Sequence, residues 1–390
     1  MRILFLCSEY PPDRAGGIGV FTQQLARGMV RLGHQVFVLG VSVTLRESDD
    51  CGVHVQMISD RQVAGPHADF LARQWFLSRA ARTLIEKEKI DLVEAPDYRG
   101  QAAFLNTPSR LTVPLVVRYH GTTTVFSSAK GLKSSRLLTF METRGLAAAT
   151  HRVAVSQFIA DATLREFPGV PPVDEVIPNF TDAQAFTPDE TVSRDPNLLL
   201  FLGKISLTKG VKELFAALPN LLERFQTLRL ELAAGDTLDG SGRTSLREEL
   251  LRELAPQYHS RVNFLGPVPH EMTLELYRRA GVCVFPSRME ALAIAPLEAM
   301  GCGCPVVVNG GSSLREQVVD GVTGLLADAR LPQDLAEKIG NLLADRALAE
   351  RLGAAARREV LEKFDLPIAL ARNEQFYQRC LTAGRDSLFR

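Results

Sequence analysis

"VCVFPSRMEALAIAPLEAMGCGCPVVV", residues 282–308, holds a buried strand, a turn, a helix and a second strand in one piece. "VCVF" and "PVVV" are short apolar runs without alternation, the pattern of strands covered on both faces. Pro296 cannot continue a helix begun before it but suits a first helical turn, so a helix opens near Ala295. Strand, helix and strand in succession predict a parallel pair joined by a crossover.

The same kind of run recurs along the chain. It is found at 2–7, 35–40, 91–95, 114–120 and 152–156, and again at 198–203, 228–235, 262–266 and 305–308. Amphipathic segments lie between, as in Phe21, Leu25, Met29 and Leu32, or Leu246, Leu250 and Leu254. Strands alternating with helices predict α/β domains with parallel sheets. Residues 171–197 are dense in Pro, Asp and Thr, which places a hinge there between two doubly wound, Rossmann-like domains, 1–190 and 191–365. A last helix follows Pro367 and carries Ile368, Leu370, Phe376, Tyr377 and Leu381.

A chain of 390 residues suits two or three domains at roughly 150 residues each. Lys and Arg total 45 against 45 Asp and Glu, so no global field draws the protein to nucleic acid. Six scattered cysteines, mostly in apolar runs, predict reduced thiols of a cytoplasmic protein. No stretch approaches the roughly 18 apolar residues of a membrane span. Residues 127–146 mix Lys130, Lys133, Arg136 and Arg144 with Leu132, Leu137, Leu138 and Phe140. That pattern fits either a solvated helix face or a weak peripheral contact with the inner face of a membrane.

The candidate site residues cluster at strand ends. Gly16, Gly17 and Gly19 follow the first strand, where backbone amides at a helix start can approach a ligand, although the spacing is not a dinucleotide fingerprint and suits a structural turn equally. His120 ends the strand at 114–120 beside a glycine and three threonines, whereas no other histidine has a comparable setting. Lys204 follows a buried strand and Lys209 stands just before a helix, where a cation is unfavourable unless an anion lies nearby. Helix electrostatics account for Glu298 but not for Glu290, nor for the Ala, Leu and Ile between them. Two acids flanking a loop whose amides near Leu292, Ala293 and Ile294 approach a phosphate or sugar describe a nucleotide-sugar pocket. The Cys302-x-Cys304 pair lacks partners for a metal site.

With these motifs in order, the chain resembles the retaining GT-B glycosyltransferases of the family 4 type, which includes sucrose synthase and bacterial mannosyl- and glucosyltransferases. The resemblance spans nearly the whole chain, from Gly-Gly-x-Gly at 16–19 through "GKISLTKG" at 203–210 and the Glu-x7-Glu pair to "GVTGLLAD" at 321–328. It implies two Rossmann-like domains facing a central cleft, with the segment 366–390 crossing back onto the first. It further implies that Lys204 and Lys209 bind the donor diphosphate, Glu298 the ribose and Glu290 the donor sugar, with His120 opposite. Lys204 stands where the family usually has Arg, which loses the bidentate fork. Ala291 and Ala293 replace expected glycines and Leu292 an expected aromatic, so the sugar pocket is reshaped.

The implied reaction is retaining transfer of a sugar from a nucleotide diphosphate to a hydroxyl acceptor, with no metal and no cofactor. The alternative is a protein of the same fold that binds nucleotide sugars and has lost catalysis.

Overall fold

Eight strands form the sheet of the first unit: β1 (Arg2–Leu6), β2 (Gln35–Ser42), β3 (Arg46–Asp50), β4 (Val53–Ser59), β5 (Leu92–Pro96), β6 (Leu115–Tyr119), β7 (His151–Ala154) and β8 (Glu175–Val176). The computed structural model describes residues 1–12, 16–43, 45–59, 70–106, 109, 111–238 and 245–388. The order is β3-β4-β2-β1-β5-β6-β7-β8, and only β3 with β4 is antiparallel. Ile3, Leu4, Phe5 and Leu6 are consecutive and all buried, so both faces of β1 are covered. The helix Gly17–Arg31 buries Phe21, Leu25 and Met29, while Leu32 lies past its end and is exposed.

The second unit has six strands, all parallel: β9 (Asp195–Lys204), β10 (Arg229–Gly235), β11 (Val262–Phe264), β12 (Ala280–Phe285), β13 (Val306–Asn309) and β14 (Leu325–Ala327). Their order is β11-β10-β9-β12-β13-β14. Neighbouring residues divide between the two faces: Leu199, Phe201, Val282 and Val284 enter one core, Leu200, Cys283 and Phe285 the other. Chain order reverses between β1 and β5 in the first sheet and between β9 and β12 in the second, the positions where open α/β sheets bind ligands.

The units are Met1–Asn179 with Pro367–Arg390, and Phe180–Leu366. The division thus falls before the expected residue 190. Phe186 and Ala183 pack into the second core, and Thr181 exchanges backbone hydrogen bonds with Phe364 and Leu366, 3.0 Å each. The terminal helix, Leu366–Leu388, belongs to the first unit from Pro367 onward. It buries Leu370, Phe376 and Tyr377 there. The Tyr377 hydroxyl donates to Glu94 (2.7 Å), and the Arg118 guanidinium donates to both Glu94 oxygens and to Asn373 Oδ1 (2.6 Å).

Candidate functional site

In the second unit, Lys204 ends β9 exposed, and the chain turns through Leu207–Lys209 into the helix Val211–Arg224. Gly210 takes the left-handed conformation (φ 71°) between turn and helix, and a Cβ there would lie 2.0 Å from the Pro286 carbonyl oxygen. Glycine is required because the turn after β9 rests directly on the turn after β12. The contact is reinforced by Arg288 N–H donating to Thr208 O (2.9 Å), by the Arg288 pair with Glu213, and by Lys209 Nζ on Glu290 Oε1 (2.5 Å). The anion that Lys209 needs beside a helix start is therefore Glu290 itself.

The loop that carries Glu290 is tethered at both ends. Asn309 Nδ2 donates to Ser287 O (2.9 Å) and Gln317 Nε2 to Ala293 O (2.6 Å). Leu292 is buried, and Ala293 leads into the helix Ile294–Gly301, which has no side-chain cap at its N-terminus. Glu298 lies beyond the first turn, so the macrodipole does not account for it. It is 3% exposed and accepts from Tyr277 Oη (3.1 Å) and pairs with His270 Nε2 (2.6 Å). That hydrogen bond raises the His270 pKa above its ordinary value against the opposing effect of burial. Each acid of the Glu-x7-Glu pair thus has its own basic partner.

His270 comes to Glu298 from a helix start, a setting unlike the strand end of His120. It opens the helix His270–Arg279 after Pro267 and Pro269 and is half exposed, which in sequence looks like any solvated helix start.

In the first unit, His120 follows β6 with its ring edge-on to Phe21 (4.9 Å between centroids). Burial, with the Arg118 charge as the second cause, pushes its pKa down to about 3, so the imidazole is neutral near pH 7. Asp97, just past β5, accepts the His120 and Gly121 amides, one on each oxygen (3.0 Å each). Burial raises its pKa, and the two amides, which bind the ionised carboxylate, oppose that shift. Glu142 fastens the next residues, accepting Thr123 N–H (2.8 Å), Thr124 N–H (3.0 Å) and Thr124 Oγ1–H (2.6 Å). Two buried carboxylates therefore hold the strand-end loop that presents His120. Asp97 was absent from the sequence-derived set, although it shares the strand-end address that singled out His120.

The glycine loop separates into parts. A Cβ on Gly19 would lie 1.9 Å from the Glu9 backbone oxygen, so that glycine serves close packing within the loop, whereas a Cβ on Gly16 would meet only the movable end of the Glu9 side chain. Gly17 would meet nothing within 4 Å. Residues 13–15 of that loop lie outside the described residues.

The family described as Glycosyl transferases group 1 matches residues 183–359, and Glycosyltransferase Family 4 matches residues 15–185. The D-inositol 3-phosphate glycosyltransferase of Geodermatophilus obscurus is 31% identical over 368 residues, covering 88% of this chain and 80% of that protein. Sucrose-phosphate synthase from Thermosynechococcus elongatus superposes with a TM-score of 0.79 at 21% identity, over 98% of this chain and 99% of that one. The Anabaena protein HepE, solved with UDP and glucose, gives 0.76 at 20% identity, over 97% and 100%.

Proposed function

The chain belongs to the family 4 type glycosyltransferases of the GT-B fold, and from that premise we propose retaining, metal-independent transfer of a sugar from a nucleotide-diphosphate sugar to a hydroxyl acceptor. The observation that carries the proposal is the meeting of the β9 and β12 turns at the switch point, where Lys209 and Glu290 pair. We assign donor binding to the second unit. Lys204 and Lys209, with the amides at Leu292, Ala293 and Ile294, meet the charge that builds on the departing diphosphate, the work a divalent cation does elsewhere. Glu298, held by His270 and Tyr277, accepts from the ribose hydroxyls. Glu290 accepts from the donor sugar. The first unit is assigned to the acceptor side, with Gly17 near the donor and neutral His120 hydrogen-bonding the sugar.

HepE, bound to UDP and glucose, supports a nucleotide-sugar donor, and the inositol-phosphate relative supports a sugar- or polyol-like acceptor. Exposed Leu132, Leu137 and Phe140 beside Lys130 and Lys133 support a weak contact with an anionic membrane surface, testable by vesicle sedimentation. No described helix is long and apolar enough to cross a membrane.

The test is thermal denaturation against UDP-, GDP-, ADP- and dTDP-sugars. A donor at 100 times its Kd stabilises by about 2.7 kcal/mol, and transfer to an acceptor panel should follow with the same donor. No stabilisation by any of them overturns the proposal. Stabilisation without transfer or donor hydrolysis identifies the binding protein that has lost catalysis.

A further inference from the structure

At the opposite edge of the second sheet, where Pro196 and Gly281 are the second residues of β9 and β12 and Pro305 precedes β13, a cavity of about 410 Å³ opens. Its size suits a small organic ligand. Pro188, Leu342, Leu343 and Ala349 make much of the wall. Two arginines reach it from different parts of the chain. Arg194 donates to the carbonyls of Tyr277 (2.9 Å), Ala280 (2.6 Å) and Cys302 (3.0 Å). Arg357 donates to those of Ala183 (2.7 Å), Phe186 (2.8 Å) and Gly301 (2.9 Å).

Carbonyls orient a guanidinium but leave its charge intact, and the bonds of both arginines to described residues go to carbonyls and the Thr187 hydroxyl. The lining carries Arg194, Arg346 and Arg357 against the single acid Glu350, which is tied to Arg346 at the exposed rim. Burial lowers the Arg357 pKa, outweighing Cys302 and Asp365, whereas the hydrogen bond to Asp50 raises that of Arg27. Bonds to carbonyls at the ends of the helices His270–Arg279 and Ile294–Gly301 and to Ala183 and Phe186 account for the position of the two side chains. They do not account for an open, largely apolar cavity with surplus positive charge beside them.

We propose that this cavity binds a small amphiphilic anion, a phosphate or carboxylate on an aromatic or alicyclic body, with the acid group on Arg194 and Arg357 and the body against the proline and leucine wall. The occupant sits at the far end of the helix that carries Glu298, away from the Lys209 edge. Nothing in this assignment depends on sugar transfer.

Calorimetric titration of the full chain with 1-naphthyl phosphate, 1-naphthoate, 1-naphthol and inorganic phosphate tests it. One or both naphthyl anions should bind saturably, and the preferred one names the acid class; naphthol and inorganic phosphate should bind at least tenfold more weakly. Ala354→Trp, at an exposed lining position, should weaken the anion at least tenfold without moving the unfolding midpoint, and Arg357→Gln should weaken it similarly. Absence of saturable binding by both anions, or equal affinity in Ala354→Trp, overturns the proposal, the latter by placing the anion elsewhere, the Lys209 edge included.

Discussion

Lys209 and Glu290, 81 residues apart in sequence, meet at 2.5 Å because β9 and β12 are neighbours in the sheet. The pair sits at the sheet's carboxyl edge, with Lys209 about a third exposed and Glu290 mostly covered. Each residue therefore depends on the other for its position.

A charge-assisted contact is worth roughly 1.5–3 kcal/mol, so losing one that strengthens in the transition state slows the reaction by about tenfold to a few hundredfold. Lys209→Ala should lose activity on that scale or more, and Lys204→Ala, at an exposed position, less. Because the pair is mutual, Lys209→Ala with Glu290→Gln should be less damaging than the product of the two single effects. Steady-state rates measured in excess EDTA check this. Loss of all transfer to the chelator, with Lys209→Ala at the wild-type rate, contradicts it.

The two acids should separate by readout. Glu298→Gln is expected to weaken binding of the free nucleoside diphosphate, with His270→Ala doing the same to a smaller degree. Glu290→Gln should leave that binding nearly intact and lower turnover. Equal effects of both glutamate substitutions on nucleotide affinity would sink the assignment.

Asp97→Asn should act through the loop it holds. Both carboxylate oxygens accept amide N–H groups, so an Asn must set its own NH2 against one of them, at a cost of about 1–3 kcal/mol. The expected result is a lower kcat with unchanged nucleoside-diphosphate affinity. A wild-type kcat would show that the amides of His120 and Gly121 need no clamp.

The two histidines should give stability opposite pH slopes. His120 has a folded pKa of about 3, so between about 6.5 and 3 the unfolded chain binds more protons and stability falls as pH falls. The folded pKa of His270 is raised, so its contribution is full below about 6.5 and is lost as pH rises through the folded value. Urea midpoints across pH should show a shallower acid limb in His120→Asn and a flatter limb above 6.5 in His270→Asn. Curves that superpose on wild type contradict both assignments.

The terminal helix offers a test by subtraction. Tyr377→Phe removes a buried hydrogen bond to Glu94 and should cost about 1.5–3 kcal/mol in urea unfolding. Deleting residues 367–390 also uncovers the faces that Leu370 and Phe376 bury, and should give dye-binding or insoluble protein. A truncated chain that remains soluble and fully active contradicts this.

Strands buried on both faces, such as β1 and β12, were plain in sequence because continuous apolar runs have few other uses. β4 shows Val53, Val55 and Met57 alternating with exposed or half-buried residues, a legible signal that the run-based reading passed over. β3, "RESDD", runs against strand propensity and exists because β4 offers it an edge to pair with. Glu290, Glu298, Lys204 and Lys209 could be singled out by position alone. Their pairings could not, because Lys209 with Glu290 follows from strand order and His270 with Glu298 from helix packing, which single-sequence periodicity does not encode. Asp97 was missed for a simpler reason: an acid just past a strand reads as a turn residue.

The first unit is completed by a helix that follows the whole of the second unit in the chain. The second unit is continuous from Phe180 to Leu366 and can fold as soon as it leaves the ribosome. At about 5–20 residues per second, the first unit's sheet waits on the order of ten to forty seconds for its final helix. Throughout that interval Glu94 and Arg118 have each other but lack Tyr377 and Asn373, and the surface that Leu370 will cover is bare. A nascent chain therefore holds every residue of the unit Phe180–Leu366 before it holds every residue of the unit that begins first.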